Sequence, residues 1–105
     1  LDKKVLGFYT LSAGSVDVTP TELNADSAPE PITAILLGRL AVAKEHQGIG
    51  LGKRLLLDAY RRSVRLGAEV AAALVFLHPK PGTDNFYKAC GFKPFAASNA
   101  MFLRL

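Results

Sequence analysis

Gln47-Gly48-Ile49-Gly50-Leu51-Gly52-Lys53 is the stretch on which the fold turns, because the periodicity of the chain changes across it. Upstream, Ile32 to Ala43 is nearly continuous in apolar residues apart from Gly38 and Arg39, which reads as a strand buried on both faces. The interior Gly38 marks a bulge or the close approach of another backbone. Downstream, Leu51, Leu55, Leu56, Ala59, Ser63 and Leu66 fall on one helical face, while Lys53, Arg54, Asp58, Arg61 and Arg65 point elsewhere. Gly67 is the expected stop. Val70 to Leu77 is a further uninterrupted apolar run of strand length, most simply a central strand reached by a strand-helix-strand crossover.

Working outward, Val5 to Ala13 is rich in β-branched and aromatic residues and reads as a strand that Gly14 and Ser15 interrupt. Asp17 to Pro31 holds Pro20, Pro29 and Pro31 among small polar residues, the composition of a long surface loop. Pro79 and Pro81 break the third strand. A short helix is expected from Thr83 or Asp84, both good N-caps, to Gly91, and Phe92 to Leu105 supplies one or two closing strands. There is no repeat. Residues 1–105 read as a single α/β domain, a mixed and mainly antiparallel sheet with flanking helices.

Half of the 105 residues are apolar, enough to bury a modest core, so the chain is globular. No apolar run approaches the roughly 20 residues of a spanning helix, and no signal peptide is evident, so the reading is a cytoplasmic protein without membrane association. Cys90 is the only cysteine, which excludes an internal disulfide and fits a reducing compartment. No metal cluster is suggested. Thirteen Lys and Arg against nine Asp and Glu give a formal charge of +4, which favours an anionic partner such as a phosphorylated cofactor or nucleic acid.

The glycines between strand and helix have the chemistry of an anion cradle. Glycine admits positive φ and close backbone approach, so successive N–H groups and the positive helix end can converge on phosphate oxygens, with Lys53 adding a full charge. A Walker loop fails on spacing, since Gly48 to Lys53 is too short and Arg54 stands where a Ser or Thr would hold magnesium. A dinucleotide site fails because Glu69 precedes the next strand instead of ending it. A glycine-rich connection needed only for a tight turn remains open at this point.

The wider segment resolves more. Leu37-Gly38-Arg39-Leu40-Ala41-Val42, four residues, then Gln47-x-x-Gly50-x-Gly52 and an apolar helix resembles the acyl-CoA-binding motif of the GNAT N-acetyltransferase superfamily. The resemblance implies acetyl-CoA as cofactor, with Leu40, Ala41 and Val42 against pantetheine and Gln47, Gly48, Ile49, Gly50, Leu51, Gly52 and Lys53 around the pyrophosphate. Asn85-Phe86-Tyr87-Lys88-Ala89-Cys90-Gly91-Phe92 is similar to a second segment of that family. It implies Tyr87 as general acid and Asn85 as a further cofactor contact. A phenol of reference pKa about 10 can donate to a leaving thiolate whose parent thiol has a pKa of about 8.5. On residue type alone, Tyr87 reads equally as a core aromatic with a wet hydroxyl.

Leu6 to Leu11, Ala13 to Val16, the proline-rich loop and Leu36 to Val42 together look like the GNAT toxins of bacterial toxin-antitoxin pairs. That resemblance implies acetylation of the α-amine of aminoacyl-tRNA, an antitoxin partner and a homodimer. The family's first strand and two helices have no counterpart here, so the expectation is an N-terminally shortened domain. His78-Pro79-Lys80-Pro81-Gly82 also replaces an expected Asp-Ala-containing stretch. A small-molecule or protein N-acetyltransferase, and a CoA-binding module without turnover, are the alternatives. No carboxylate is an obvious general base, which suits an α-amine of pKa about 7.7 to 8. His46 reads as a solvated loop residue or a phosphate contact, His78 as structural, Cys90 as plain packing or an acyl carrier, and Arg54, Arg61, Arg62 and Arg65 as a solvated face or an RNA-binding stripe.

Overall fold

The computed structural model describes residues 6–16, 32–95 and 98–105. Its strands are β1 (Gly7–Val16), β2 (Ile32–Val42), β3 (Leu74–Leu77), β4 (Lys93–Pro94) and β5 (Met101–Arg104), and its helices α1 (Leu51–Val70) and α2 (Asp84–Ala89). The strands form one sheet in the order β1-β2-β3-β5-β4. Only β2 and β3 run parallel, joined through α1. The mixed, mainly antiparallel α/β architecture expected from the sequence is the one observed.

Each face of the sheet carries its own apolar cluster. On the helix side Leu56 and Ala59 of α1 and Tyr87 of α2 pack on Ile35, Leu37 and Val75. On the far side Phe76, Phe95 and Phe102 gather with Ala34 and Leu74, Phe95 stacked on Phe102 at 4.5 Å. Ser63 is fully buried on the apolar face of α1, which its hydroxyl tolerates by donating to the Ala59 carbonyl one turn back at 2.8 Å.

Several boundaries differ from the sequence expectation. β1 does not stop at Gly14 and Ser15 but pairs with β2 through Val16, opposite Ile32. Gly14 is useful there, because the Phe76 ring lies 3.4 Å from where its Cβ would be. Gly67 does not end α1 either. It is a buried helical residue that leaves room for Leu105, whose Cδ1 would come within 2.8 Å of an added Cβ. The helix runs on to Val70, which therefore belongs to α1 and not to β3. It closes at Ala71 in the left-handed region (φ 57°), with the Ala72 N–H donating to the Gly67 carbonyl at 2.9 Å. Leu66, placed on the inner face by periodicity, is 42% exposed. The expected loop from Asp17 to Pro31 lies outside the described residues.

β2 is buried only in its first half, at Ala34, Ile35 and Leu37, and opens thereafter. Two features cause this. Its pairing with β3 extends only from Ala34 opposite Leu74 to Leu36 opposite Phe76, after which the two strands part. Its pairing with β1 shifts register between Thr10, opposite Arg39, and Leu11, opposite Leu37, so Gly38 is the extra residue of a β-bulge. Simple alternation from Leu37 would carry Arg39 and Ala41 to the helix side. The bulge inverts that parity, so Leu40 packs on the helix-side cluster beside Leu37 and Arg39 faces the other way.

Candidate active site

The loop from β2 to α1 is short and closed on itself. Lys44–His46 makes one 3-10 turn, and the Gln47 side-chain amide donates to the Val42 carbonyl at 3.0 Å. Gly48 and Gly50 both take φ of 84°, a left-handed geometry that glycine supplies without steric cost. Gly50 caps α1, and its carbonyl accepts the first helical hydrogen bond from the Arg54 N–H at 3.2 Å. The N–H groups of Leu51, Gly52 and Lys53 therefore precede any intrahelical acceptor. No acidic residue sits in that first turn to compensate the positive helix end. A Cβ at Gly48 or Gly50 would meet nothing within 4 Å, so both open onto free space.

The edge of β2 leads into this cradle. The Ala43 N–H donates to the Leu6 carbonyl at 2.6 Å, so by strand alternation the main-chain groups of Ala43 and Ala41 face β1. Those of Leu40 and Val42 face the opposite edge, where β3 has already left. A cleft of about 500 Å³ occupies the space. Its walls come from Leu40 and Val42 of β2, from Gln47, Gly48 and Gly50 of the loop, and from Gly52 and Lys53 of α1. Thr83, Phe86 and Tyr87 of the α2 region close it. An extended chain bearing amides can pair with the groups of this edge that Gln47 does not already engage, while an anionic group at one end meets the helix N-terminus.

Tyr87 is held by edge-to-face contacts with Phe86 at 5.1 Å and Phe92 at 5.8 Å, and only 9% of its surface remains exposed. Its hydroxyl makes no hydrogen bond among the described residues, yet no buried polar side-chain atom there lacks a partner, so the oxygen lies open at the cleft wall. Burial, and then the neighbouring Cys90, push the phenol above its ordinary value of 10.0. The group keeps its proton throughout the neutral range, as a proton donor must.

Of the residues singled out in the sequence, Leu40, Val42, Gln47, Gly48, Gly50, Gly52, Lys53 and Tyr87 share this cleft. Ala41 sits opposite Phe8 on the far face, Ile49 points outward at 71% exposure, and Leu51 and Asn85 are not on the wall. Thr83 and Phe86 line it without having been singled out. Thr83 stands three residues before Phe86 and four before Tyr87, and that helical spacing is the signal that would have found them. His46 is not on the wall, and Cys90 lines a second, mainly apolar pocket with Leu56, Leu57, Tyr60, Phe92 and Leu103, which meets the cleft at Lys53. No group of three or more His, Cys, Asp or Glu able to hold a metal occurs among the described residues.

The basic stripe of α1 is exposed at Arg54, Arg61 and Arg65. Arg62 differs, because its Nε lies 3.8 Å from Asp58 and its guanidinium stands over the Tyr9 ring at 5.9 Å, while the Tyr9 hydroxyl donates to Asp58. No helix among the described residues is long and apolar enough to cross a membrane.

Comparison with known proteins follows the same lines. The model of the acetyltransferase (GNAT) domain matches residues 2–94. A tRNA-acetylating toxin of Mycobacterium tuberculosis is 39% identical over 79 residues, covering 73% of this chain and 47% of the relative. Among solved structures, AtaT complexed with acetyl-methionyl-tRNAfMet superposes with a TM-score of 0.83 at 25% identity, over 94% of this chain and 62% of that one. A point mutant of KacT gives 0.82 at 26% identity over 94% and 62%. AtaTR bound with AcCoA gives 0.77 at 28% identity over 94% and 61%. The chain thus spans about half the length of the curated relative and under two thirds of these structures.

Proposed function

The chain belongs to the acetyltransferase (GNAT) domain family, and on that footing we propose that it is an acetyl-CoA-dependent N-acetyltransferase acting on the α-amine of aminoacyl-tRNA. The observation that carries the reading is one continuous cleft: the edge of β2 at Leu40 and Val42, which β3 has left, runs into the Gly48 and Gly50 cradle, with the open Tyr87 hydroxyl on the facing wall. These residues fit a CoA thioester. The edge suits the amides of pantetheine, and the helix N-terminus with Lys53 suits a pyrophosphate.

Bound acetyl-CoA supplies an activated acyl group. The protein's own contribution is positioning and one proton. Tyr87 would hold a proton at its phenol oxygen on the cleft wall, where it could be given to a leaving thiolate and regained from the amine that loses one on acylation. No base is required, because an α-amine of pKa about 7.7 to 8 is partly neutral at physiological pH.

The tRNA acceptor is supported by the names of the relatives, a tRNA-acetylating toxin and a toxin complexed with acetyl-methionyl-tRNA, and by the net charge of +4. On this reading the protein is a toxin that arrests translation in the cytoplasm and is neutralised by an antitoxin. It forms a homodimer in which the C-terminal strands are a contact region. The test is mass spectrometry of charged tRNA after incubation with full-length protein and acetyl-CoA. Acetylated aminoacyl-tRNA is expected; acetylation of small amines alone assigns the protein to a non-toxin acetyltransferase, and binding of CoA without turnover to a regulatory module.

A further inference from the structure

We propose that Arg39, His78 and Lys80 form an anion grip for the acceptor, holding a phosphate of the acceptor RNA strand in a small recess beside the split between β2 and β3. This grip rests on the acetyltransferase reading above, whose cofactor side it complements.

Two spaces adjoin the split: the 500 Å³ cleft already described, and a recess of about 80 Å³ in which Leu37, Leu40, Leu77 and Tyr87 of the helix-side cluster meet Arg39, His78 and Lys80. Leu40, Thr83 and Tyr87 line both spaces, so Tyr87 stands between two mouths. Of the two, it is the recess that carries Arg39, His78 and Lys80. The bulge at Gly38 turns Arg39 away from the helix side, opposite Thr10. His78 follows Leu77 of the helix-side cluster and so alternates to the side of Phe76, whose ring it meets edge-on at 5.9 Å. Lys80 comes from the loop before α2.

No acidic side chain lines the recess, and neither Arg39 nor Lys80 has an ion pair among the described residues. Cations drawn to one recess repel each other, and an anion between them relieves that repulsion. The recess is too small for a second cofactor-sized molecule and suits a single anionic group. The chemistry of the acceptor selects which anion. In an aminoacyl ester the carboxyl is esterified, so the negative charge nearest the reacting amine is a phosphodiester of the 3′ strand. An arginine fork and a lysine point charge are the usual partners of such a group.

The test uses full-length protein, a fluorescein-labelled oligoribonucleotide of the tRNA 3′ end, and aminoacyl-tRNA kinetics across a salt series. In the Arg39→Ala, Lys80→Ala double variant, the oligonucleotide Kd and the acceptor KM are expected to rise about tenfold or more. The slope of log affinity against log salt should shrink by about 0.7 for each single-strand phosphate that the protein no longer neutralises. CoA affinity by calorimetry should stay within about twofold, and Arg39→Lys should restore the salt slope with only part of the affinity. Active wild type with unchanged oligonucleotide affinity and salt slope in the double variant overturns the grip alone. Parallel loss of CoA and RNA affinity overturns it too, because the residues would then be holding the fold. Wild type that acetylates no amine overturns the acetyltransferase reading, and the grip with it.

Discussion

Gly38 and Thr10 face each other across the β1–β2 ladder so closely that a Cβ on Gly38 would stand 2.8 Å from the Thr10 Oγ1. The bulge that aims Leu40 and Val42 at the cleft is thus built at a point where only hydrogen fits. Gly38→Ala should cost about 1–3 kcal/mol in urea unfolding, the range for overpacking. Because the clash is with a side chain, Thr10→Ala in the same protein should recover much of that deficit. An additive double-mutant cycle would rule out the clash as the cause.

Gly50→Val should abolish measurable CoA binding. A side chain there enters the cleft, and φ of 84° is strained for a β-branched residue, at about 1–3 kcal/mol. The fold should survive, since nothing lies within 4 Å of the added Cβ. Calorimetry on a variant of native circular dichroism checks this, and unimpaired affinity would dismiss the cradle.

Tyr87→Phe should lower turnover by about 10²- to 10⁴-fold with CoA affinity nearly intact. Wild-type kcat/KM should rise through about pH 7.7 to 8 as an α-amine loses its proton, and fall only above pH 10, because the raised phenol pKa delays loss of the donor. Cys90→Ala should draw that alkaline limb down slightly, since burial is the larger cause and Cys90 the smaller. The same shift makes Tyr87's contribution to folding complete below pH 10 and lost as pH rises through the folded-state pKa.

Charge reversal at Arg61 and Arg65 should weaken tRNA binding without affecting CoA, and lower the salt slope by about 0.7 to 0.9 for each phosphate set free. Arg62→Glu should do less, because Asp58 already engages that side chain. Filter binding at several salt concentrations distinguishes the three positions, and equal effects at all of them would point to a diffuse field instead of a footprint.

The elements legible in the sequence were those with a strong period or strong punctuation. α1 announced itself by apolar spacing, and α2 by Thr83 before it and Gly91, at φ of 99°, after it. The cradle was legible because its glycines serve local geometry. Gly67 misled because its role is to admit Leu105, a partner far along the chain that no local pattern names. Val70 misled because the end of an apolar helix and the start of a buried strand look alike until hydrogen bonds separate them. Arg39 and His78 could not be joined beforehand, since their common face depends on the parity change at Gly38 and on where β3 parts from β2.

The sharing of Tyr87 by two mouths has a kinetic meaning. A donor that lines two adjoining spaces can serve a reactant in each, so both reactants can be present together and neither product must depart before the second substrate arrives. The chain's one thiol, Cys90, is turned into a different pocket, which removes the obvious carrier for a covalent relay. Double-reciprocal plots should therefore intersect instead of running parallel, the mark of a ternary complex.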